Sequence, residues 1–170
     1  NFSDNITVTG DVHLILEDDC HLTAGKGITV YDDDKSLDTE SLNKLTIYAQ
    51  SEGGKTGKLT AKGYLYGAGI GGASNDGGKG YCGEVTINGG IINATGGNAN
   101  WGGGAGIGGG GSEVERGHGG NVTINGGVVT AMGGIDKKNG GNSGAAGIGG
   151  ASNCGGGNTT ICGGTVTAIG

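Results

Sequence analysis

The chain has 170 residues, a formal net charge of −6, 46 Gly and no Pro. This length suits one compact domain, and an acidic chain without a basic stripe argues against nucleic-acid binding. We expect no membrane span, because no apolar run approaches the roughly 20 residues that a transmembrane helix needs. Collagen is excluded too, since the glycines follow no strict three-residue period.

The glycines recur in register with short apolar segments, which indicates a repeat protein rather than a disordered chain. Residues 84–97 and 121–134 have nearly the same sequence and lie 37 residues apart. Three sets of segments can be aligned along the chain. The first set is Leu14–Leu16, Leu45–Ile47, Val85–Ile87, Val122–Ile124 and Thr159–Ile161; the second is Leu22–Ala24, Leu59–Ala61, Ile92–Ala94, Val129–Ala131 and Val166–Ala168; the third is Gly27–Ile28, Ala68–Ile70, Ala105–Ile107 and Ala146–Ile148.

Most of these segments alternate apolar and polar residues, which predicts short strands buried on one face. Three strands per repeat predict an all-β fold, a right-handed single-stranded parallel β-helix, or β-solenoid. We expect about five rungs, each rung being one circuit of three strands about 4.8 Å from the next. The prediction is one β-solenoid domain over residues 1–170, with less regular N-terminal rungs over 1–63 and Gly-rich 37-residue repeats over 64–170.

The Asn-Gly-Gly segments mark a corner of the predicted solenoid. Asn88 and Asn125 fall at the same position of successive repeats, and two glycines follow each. A sharp bend between short strands needs a positive φ, which Gly and Asn tolerate best. We therefore expect corners here, with the asparagine side chains hydrogen-bonded from rung to rung. An antiparallel hairpin is the less favoured alternative.

Large aromatic side chains follow the second strand of two successive rungs. Tyr64 and Tyr66 lie in one rung, Trp101 lies in the next, and Asp136 and Lys137 follow in the third. Aromatic faces stack on the apolar faces of sugar rings, and exposed Trp and Tyr are common binding anchors. These five residues are the predicted ligand-binding site. The alternative is that the aromatics only cover loop backbone.

The loops after the third strand collect carboxylates, which suggests calcium as a cofactor. The candidate ligands are Asp32, Asp33, Asp34 and Asp76. Calcium takes six to eight oxygen ligands, and stacking of rungs would bring these loops to one flank. The stretch from Tyr31 to Asp38 lacks the glycine of an EF-hand loop, so a solvated acidic flank is the simpler alternative.

We predict that the chain is not an enzyme. Parallel β-helices do host polysaccharide lyases and hydrolases, and Asp18, Asp19 and Lys26 could take acid or base roles there. The loops are too small to build a deep cleft around them. The histidines have no spacing typical of a zinc site; they are His13, His21 and His118.

Two non-enzymatic alternatives to ligand binding remain. One is an ice-binding face, because the second set places threonines in one outward column, at Thr23, Thr60, Thr130 and Thr167. The neighbouring outward column begins with His21 and Lys58, which breaks a regular threonine array. The other alternative is a passive stalk or spacer.

The four cysteines are predicted to form at most one disulfide. Cys20 and Cys162 fall at the same corner but four rungs apart, about 19 Å at ~4.8 Å per rung. A disulfide needs Cα atoms within roughly 7 Å, so these two cannot pair within one chain. Only Cys82 and Cys154 could meet, through a loop that folds over its neighbour. We therefore expect at least two thiols outside any disulfide.

The segments DVHLILEDDCHLTAGKGITV, KLTIYAQSEG, GAGIGG and VTINGGVVTAMGG resemble a Gly-rich repeat of large surface proteins from anaerobic gut bacteria. The similar modules are parallel β-helices of the carbohydrate-binding-domain type, and the resemblance covers about Asp11 to Gly170. It implies an extracellular module of the bacterial cell surface that binds polysaccharide or host glycans, or mediates adhesion, sometimes with calcium. No ligand-binding motif of that family can be placed on individual residues.

Overall fold

The computed structural model describes residues 1–30, 43–53, 56–73, 80–100, 102–111, 117–138 and 144–170. The described residues form fifteen strands. They are β1 (Ile6–Thr7), β2 (Asp11–Leu16), β3 (His21–Ala24), β4 (Ile28–Thr29), β5 (Lys44–Ala49), β6 (Lys58–Lys62), β7 (Ile70–Gly71), β8 (Glu84–Ile87), β9 (Ile91–Thr95), β10 (Ile107–Gly108), β11 (Asn121–Ile124), β12 (Val128–Met132), β13 (Ile148–Gly149), β14 (Thr159–Ile161) and β15 (Thr165–Ile169).

The strands form three parallel sheets of five strands each. Sheet I contains β2, β5, β8, β11 and β14; sheet II contains β3, β6, β9, β12 and β15; sheet III contains β1, β4, β7, β10 and β13. From β2 onward the chain visits sheets I, II and III in that order on every circuit. The predicted all-β parallel solenoid with three strands per turn is confirmed.

The predicted register is confirmed in sheets II and III. In sheet II, Ala94 pairs with Ala61 on one side and with Ala131 on the other. In sheet III, Ile107 pairs with both Ile70 and Ile148. Like residues therefore stack in columns along the solenoid, a column being the residues at one position of successive turns.

The predicted alignment of the first strand in sheet I was wrong by two residues. Val12 pairs with Leu45 and Leu14 with Ile47, whereas the sequence alignment placed Leu14 beside Leu45. A shift of two residues keeps the same side chains inward, so the alternating pattern cannot decide between the two registers. The register shown pairs all six residues of β2 with β5.

The core is a narrow prism of inward columns. Its members include the fully buried side chains of Ile47, Ile87 and Ile124, which stack in sheet I. The column continues to Ile161 in the last strand of that sheet, where the side chain is 54% exposed. At this position of sheet I, burial therefore depends on the turn that follows.

The Asn-Gly-Gly corners are confirmed. The second glycine carries the bend, with φ of 97° at Gly90 and 86° at Gly127, while the asparagines keep negative φ. Nδ2 of Asn125 donates to Oδ1 of Asn88 at 2.8 Å. The asparagine thus ties neighbouring turns together, and the glycine supplies the backbone conformation.

The four cysteines form no disulfide in the structure. The prediction that at least two thiols stay outside disulfides is confirmed. The one bridge that the sequence permitted, Cys82 to Cys154, does not form.

Candidate functional site

Four of the predicted ligand residues lie at the corner between sheets II and III; they are Tyr64, Tyr66, Asp136 and Lys137. We call the exposed side chains there the corner stripe: Tyr64, Leu65, Ile135 and Lys137. Successive turns of this corner are hydrogen-bonded through the backbone. The Gly97 N–H donates to the Gly67 carbonyl at 2.9 Å, and the Ala99 N–H donates to that of Ile135 at 3.2 Å.

The two predicted tyrosines have opposite environments. Tyr64 is 53% exposed, whereas Tyr66 is only 7% exposed. The Tyr66 ring therefore presents no open face to a sugar. Trp101 lies outside the described residues. Among the predicted aromatic residues that the structure describes, Tyr64 is the one whose ring lies at the surface.

Asp136 and Lys137 also differ, although they are neighbours in the chain. Asp136 is 2% exposed, and its Oδ1 accepts a hydrogen bond from the Lys138 N–H at 3.0 Å. Lys137 is exposed, and its backbone N–H donates to the carbonyl of Ala99 at 2.8 Å. Asp136 thus shapes the turn, and the Lys137 side chain is open to solvent.

Leu65 adopts an uncommon backbone conformation for a large apolar residue. It lies in a β-turn closed by the Gly67 N–H donating to the Tyr64 carbonyl at 2.9 Å, and its φ is 47°. A left-handed conformation costs a residue with Cβ roughly 1–2 kcal/mol. The next turn packs closely against this backbone, since a Cβ at Gly97 would overlap the Leu65 carbonyl oxygen.

An ion pair lies beside the Tyr64 ring. The Lys26 ammonium is 5.5 Å from the ring centroid and 2.7 Å from Oδ1 of Asp4. The hydrogen bond and charge of Lys26 lower the pKa of Asp4, and Asp4 in turn raises the pKa of Lys26. The corner therefore combines an aromatic ring with a lysine ammonium that an ion pair keeps in position.

The predicted calcium ligands Asp32, Asp33, Asp34 and Asp76 lie outside the described residues. Within the described ranges, no group of three or more His, Cys, Asp or Glu is placed to hold a metal ion. Calcium binding by the acidic loops stays a prediction.

The three residues considered for acid or base catalysis have structural roles in the N-terminal turn. Asp18 Oδ1 accepts a hydrogen bond from the Ser51 hydroxyl at 2.6 Å. Asp19 has a φ of 56°, which Asp tolerates better than most residues, at the bend between β2 and β3. Lys26, as described, is held by Asp4. These contacts organise the N-terminal turn.

The histidines contact different neighbours. His13 stacks on Tyr48 with ring centroids 5.7 Å apart, and His118 stacks in the same way on Tyr81. Nε2 of His21 is 2.8 Å from the Thr60 hydroxyl oxygen. Each ring thus packs on or bonds to an adjacent strand or loop.

Cys82 is a core residue rather than a reactive thiol. Its side chain is buried, and burial raises the pKa of the thiol to about 12, against the opposing effect of the Gly120 and Gly72 backbone. A thiol that stays protonated at neutral pH is a poor nucleophile.

Sequence reasoning did not single out a threonine column that is more regular, within the described residues, than the one in sheet II. It lies in sheet I and contains Thr46, Thr86, Thr123 and Thr160. In sheet II, by contrast, Asn93 interrupts the threonines between Thr60 and Thr130. The sequence contained a signal for this column, because each of these threonines immediately precedes an isoleucine on the inward face of its strand.

A comparison of the sequence with models of protein families agrees with this fold. The model of the family described as "Beta helix repeat" matches residues 57–74, 122–152 and 160–170, together less than half of the chain. No curated protein and no solved structure matches. Within the described ranges, no helix has the length and apolar character to cross a membrane. The repeat match and the three parallel sheets identify the chain as a parallel β-helix repeat module.

Proposed function

We propose that the chain is a non-catalytic, extracellular module of a bacterial cell surface, which binds a polysaccharide or host glycan or mediates adhesion through one. Its scaffold would be a right-handed solenoid of about five rungs, a count supported by the five strands of each sheet. The ligand would lie across the corner stripe, and Trp101, which lies outside the described residues, stays the second aromatic anchor that the sequence predicts.

The pair Tyr64 and Leu65 is the observation that supports this proposal. Both side chains are exposed although the surrounding corner is mostly glycine, and Leu65 is 43% exposed in a strained backbone conformation. Strain in a backbone that its surroundings hold in place is typical of functional sites. Adjacent exposed apolar side chains with polar neighbours are typical of binding surfaces.

The chemistry of the stripe suits a sugar chain. The Tyr64 ring can stack on the apolar face of a pyranose, and Lys26 and Lys137 can donate hydrogen bonds to hydroxyl or carboxylate oxygens. We expect a shallow site at an outer corner of the solenoid, so little of the ligand would be buried. We expect dissociation constants in the high-micromolar range, about −5 kcal/mol of binding free energy.

Titration of the intact chain with oligosaccharides tests the proposal. The single Trp residue reports binding by fluorescence, and retention on insoluble polysaccharides extends the test to long chains. Tyr64→Ala should weaken binding at least fivefold. Tyr48→Ala is the matched control, because Tyr48 lies on the outward face of sheet I and stacks on His13. Equal affinity of the two variants would refute the site.

A passive spacer is the second candidate. It is favoured by the continuous parallel sheets, whose inward columns are packed along the solenoid. A spacer would bind none of the glycans tested, and the Tyr64→Ala variant would then give the same result as the unaltered chain in every binding assay.

A further inference from the structure

The charged residues of this acidic chain are distributed unevenly around the solenoid. Within the described ranges, most acids lie in sheet I or between sheets I and II; they are Asp11, Glu17, Asp18, Asp19, Glu52 and Glu84. Asp4 is paired with Lys26, and Asp136 is buried. The five strands of sheet II contain no Asp or Glu, whereas β6 contains two lysines. The strands of sheet II therefore carry only positive charge in a chain whose net charge is −6.

The two lysines of β6 lie on the outer face of sheet II. Lys58 and Lys62 are the first and last residues of the strand, and the alternate residues Leu59 and Ala61 are buried, so both lysines point outward. Their Cα atoms are about 13 Å apart at roughly 3.3 Å per residue. Within the described part of the chain, neither ammonium group is paired with a carboxylate. Both groups are open to an anionic ligand.

Apolar side chains share this face with the lysines. Val128 and Met132 lie two turns further along, in the columns of Lys58 and Lys62, and they are 48% and 42% exposed. Two turns correspond to about 10 Å. The column between them is polar and consists of Thr60, Asn93 and Thr130. The outer face of sheet II therefore combines cations, apolar contact area and hydrogen-bonding groups in one small area.

We propose that the glycan bound by this chain is an acidic polysaccharide, whose uronate carboxylates bind Lys58 and Lys62 on the outer face of sheet II. This inference rests on the function proposed above and names the class of its ligand. The face is continuous with the corner stripe, because Lys62 precedes Tyr64 by two residues. Each ammonium group donates charge-assisted hydrogen bonds to a carboxylate, and the apolar faces of the sugar rings pack on Val128 and Met132.

A polysaccharide fits this face better than an anionic membrane does. Both classes of partner combine negative charge with apolar surface. Hydrocarbon would leave the polar side chains of Thr60, Asn93 and Thr130 without hydrogen-bond partners, which costs free energy. Sugar hydroxyls both donate and accept hydrogen bonds, so they can satisfy the hydroxyl and amide groups of this column.

Isothermal titration calorimetry of the intact chain with oligosaccharides of hyaluronan and of polygalacturonate, each compared with its methyl ester, tests the proposal. Esterification removes the carboxylate charge and keeps the sugar rings. The buffer has low salt and contains EDTA, so that calcium cannot bridge carboxylates of the ligand and of the chain. We expect the free acid of at least one polymer to bind about fivefold more tightly than its ester. A net charge of −6 by itself favours the uncharged ester, so this preference requires a local cationic surface.

A pair of lysine variants locates that surface. Lys58→Gln should lower the affinity for the free acid about fivefold and leave the affinity for the ester unchanged. Lys44→Gln is the matched control, because it changes the net charge equally. Lys44 is the first residue of β5, as Lys58 is of β6, but it lies in sheet I beside Glu84. Circular dichroism shows whether each variant is folded.

The outcomes separate this inference from the function on which it rests. Esters that bind as tightly as the free acids would overturn the inference and leave the proposed function intact, because a neutral glycan still binds at Tyr64. Equal losses in Lys58→Gln and Lys44→Gln would overturn it too, and so would tighter binding to phosphatidylglycerol vesicles than to either polysaccharide. If no glycan binds, both the proposed function and this inference are wrong.

Discussion

The central and C-terminal turns of the solenoid share several residues in the same columns, yet the environments of these residues differ. Ile124 is completely buried, while Ile161, its partner in the last strand of sheet I, is 54% exposed. Each turn of a solenoid contacts only its neighbours, so stability is close to a sum of nearest-neighbour terms. A residue in this fold is therefore stabilised by the turn next to it as much as by its own type.

The largest expected difference between the two turns concerns close-packed glycine. Gly108 has a φ of 131°, and a Cβ there would overlap the carbonyl oxygen of Gly149 in the next turn. At Gly149 the φ is 137°, but the nearest atom to an added Cβ is the Ala146 Cβ at 3.2 Å. Gly108→Ala should cost more than about 4 kcal/mol of unfolding free energy, and Gly149→Ala about 1–3 kcal/mol. Urea denaturation followed by circular dichroism measures both, and equal costs would contradict the nearest-neighbour view.

The isoleucine column gives the next largest effect. Ile124→Ala should cost about 3–4 kcal/mol, because it leaves a cavity between two turns that cannot collapse. Ile161→Ala should cost roughly 1 kcal/mol or less, since half of that side chain already contacts water. The same denaturation experiment compares them. A loss at Ile161 as large as at Ile124 would contradict the view that contact with neighbouring turns sets the cost.

The asparagine column offers a smaller change that can strengthen the last turn. Asn125→Ala should cost about 1 kcal/mol, because it removes the hydrogen bond to Asn88. Cys162 follows Asn125 in this column, as the pairing of Ile161 with Ile124 shows. Cys162→Asn should extend the hydrogen-bonded ladder and stabilise the chain by about 0.5 kcal/mol. Cys162→Ala is the control, and it should have no such benefit.

The smallest expected effect lies at the N-terminal end. The Asp4 pKa is lowered by Lys26, so this contact contributes above the usual Asp pKa near 4 and is lost as pH falls through the lower folded value. The Lys26 pKa is raised, so the contribution is also lost as pH rises through that raised value. An NMR titration should show the Asp4 midpoint rising in Lys26→Met. An unchanged midpoint would mean that the pair does not form in solution.

Much of the fold could be predicted because it depends on local rules. The alternation in segments such as Val122–Ile124 decides which face is buried, and the glycine at the corner before β9 or β12 decides where the chain bends. The register of β2 could not be predicted, since two registers bury the same face. It depends on how many residues of β2 and β5 can pair.

The candidate site was less predictable than the fold. The sequence placed Tyr64, Tyr66, Asp136 and Lys137 near one corner, and the structure places them there. Burial then separates them, because Tyr66 and Asp136 turn into the protein while Tyr64 and Lys137 remain at the surface. Loop side chains have no periodic pattern that would reveal their direction, so only packing against the next turn decides it.

The sequence by itself determined the strand columns, the glycine corners and the separation of Cys20 from Cys162, because repeats of nearly constant length bring like residues to like positions. Only the tertiary structure decided which turns are enclosed, which loop side chains are exposed, and that Leu65 is held in a strained conformation. These properties depend on contacts with the neighbouring turns, and the sequence of one repeat does not specify those contacts.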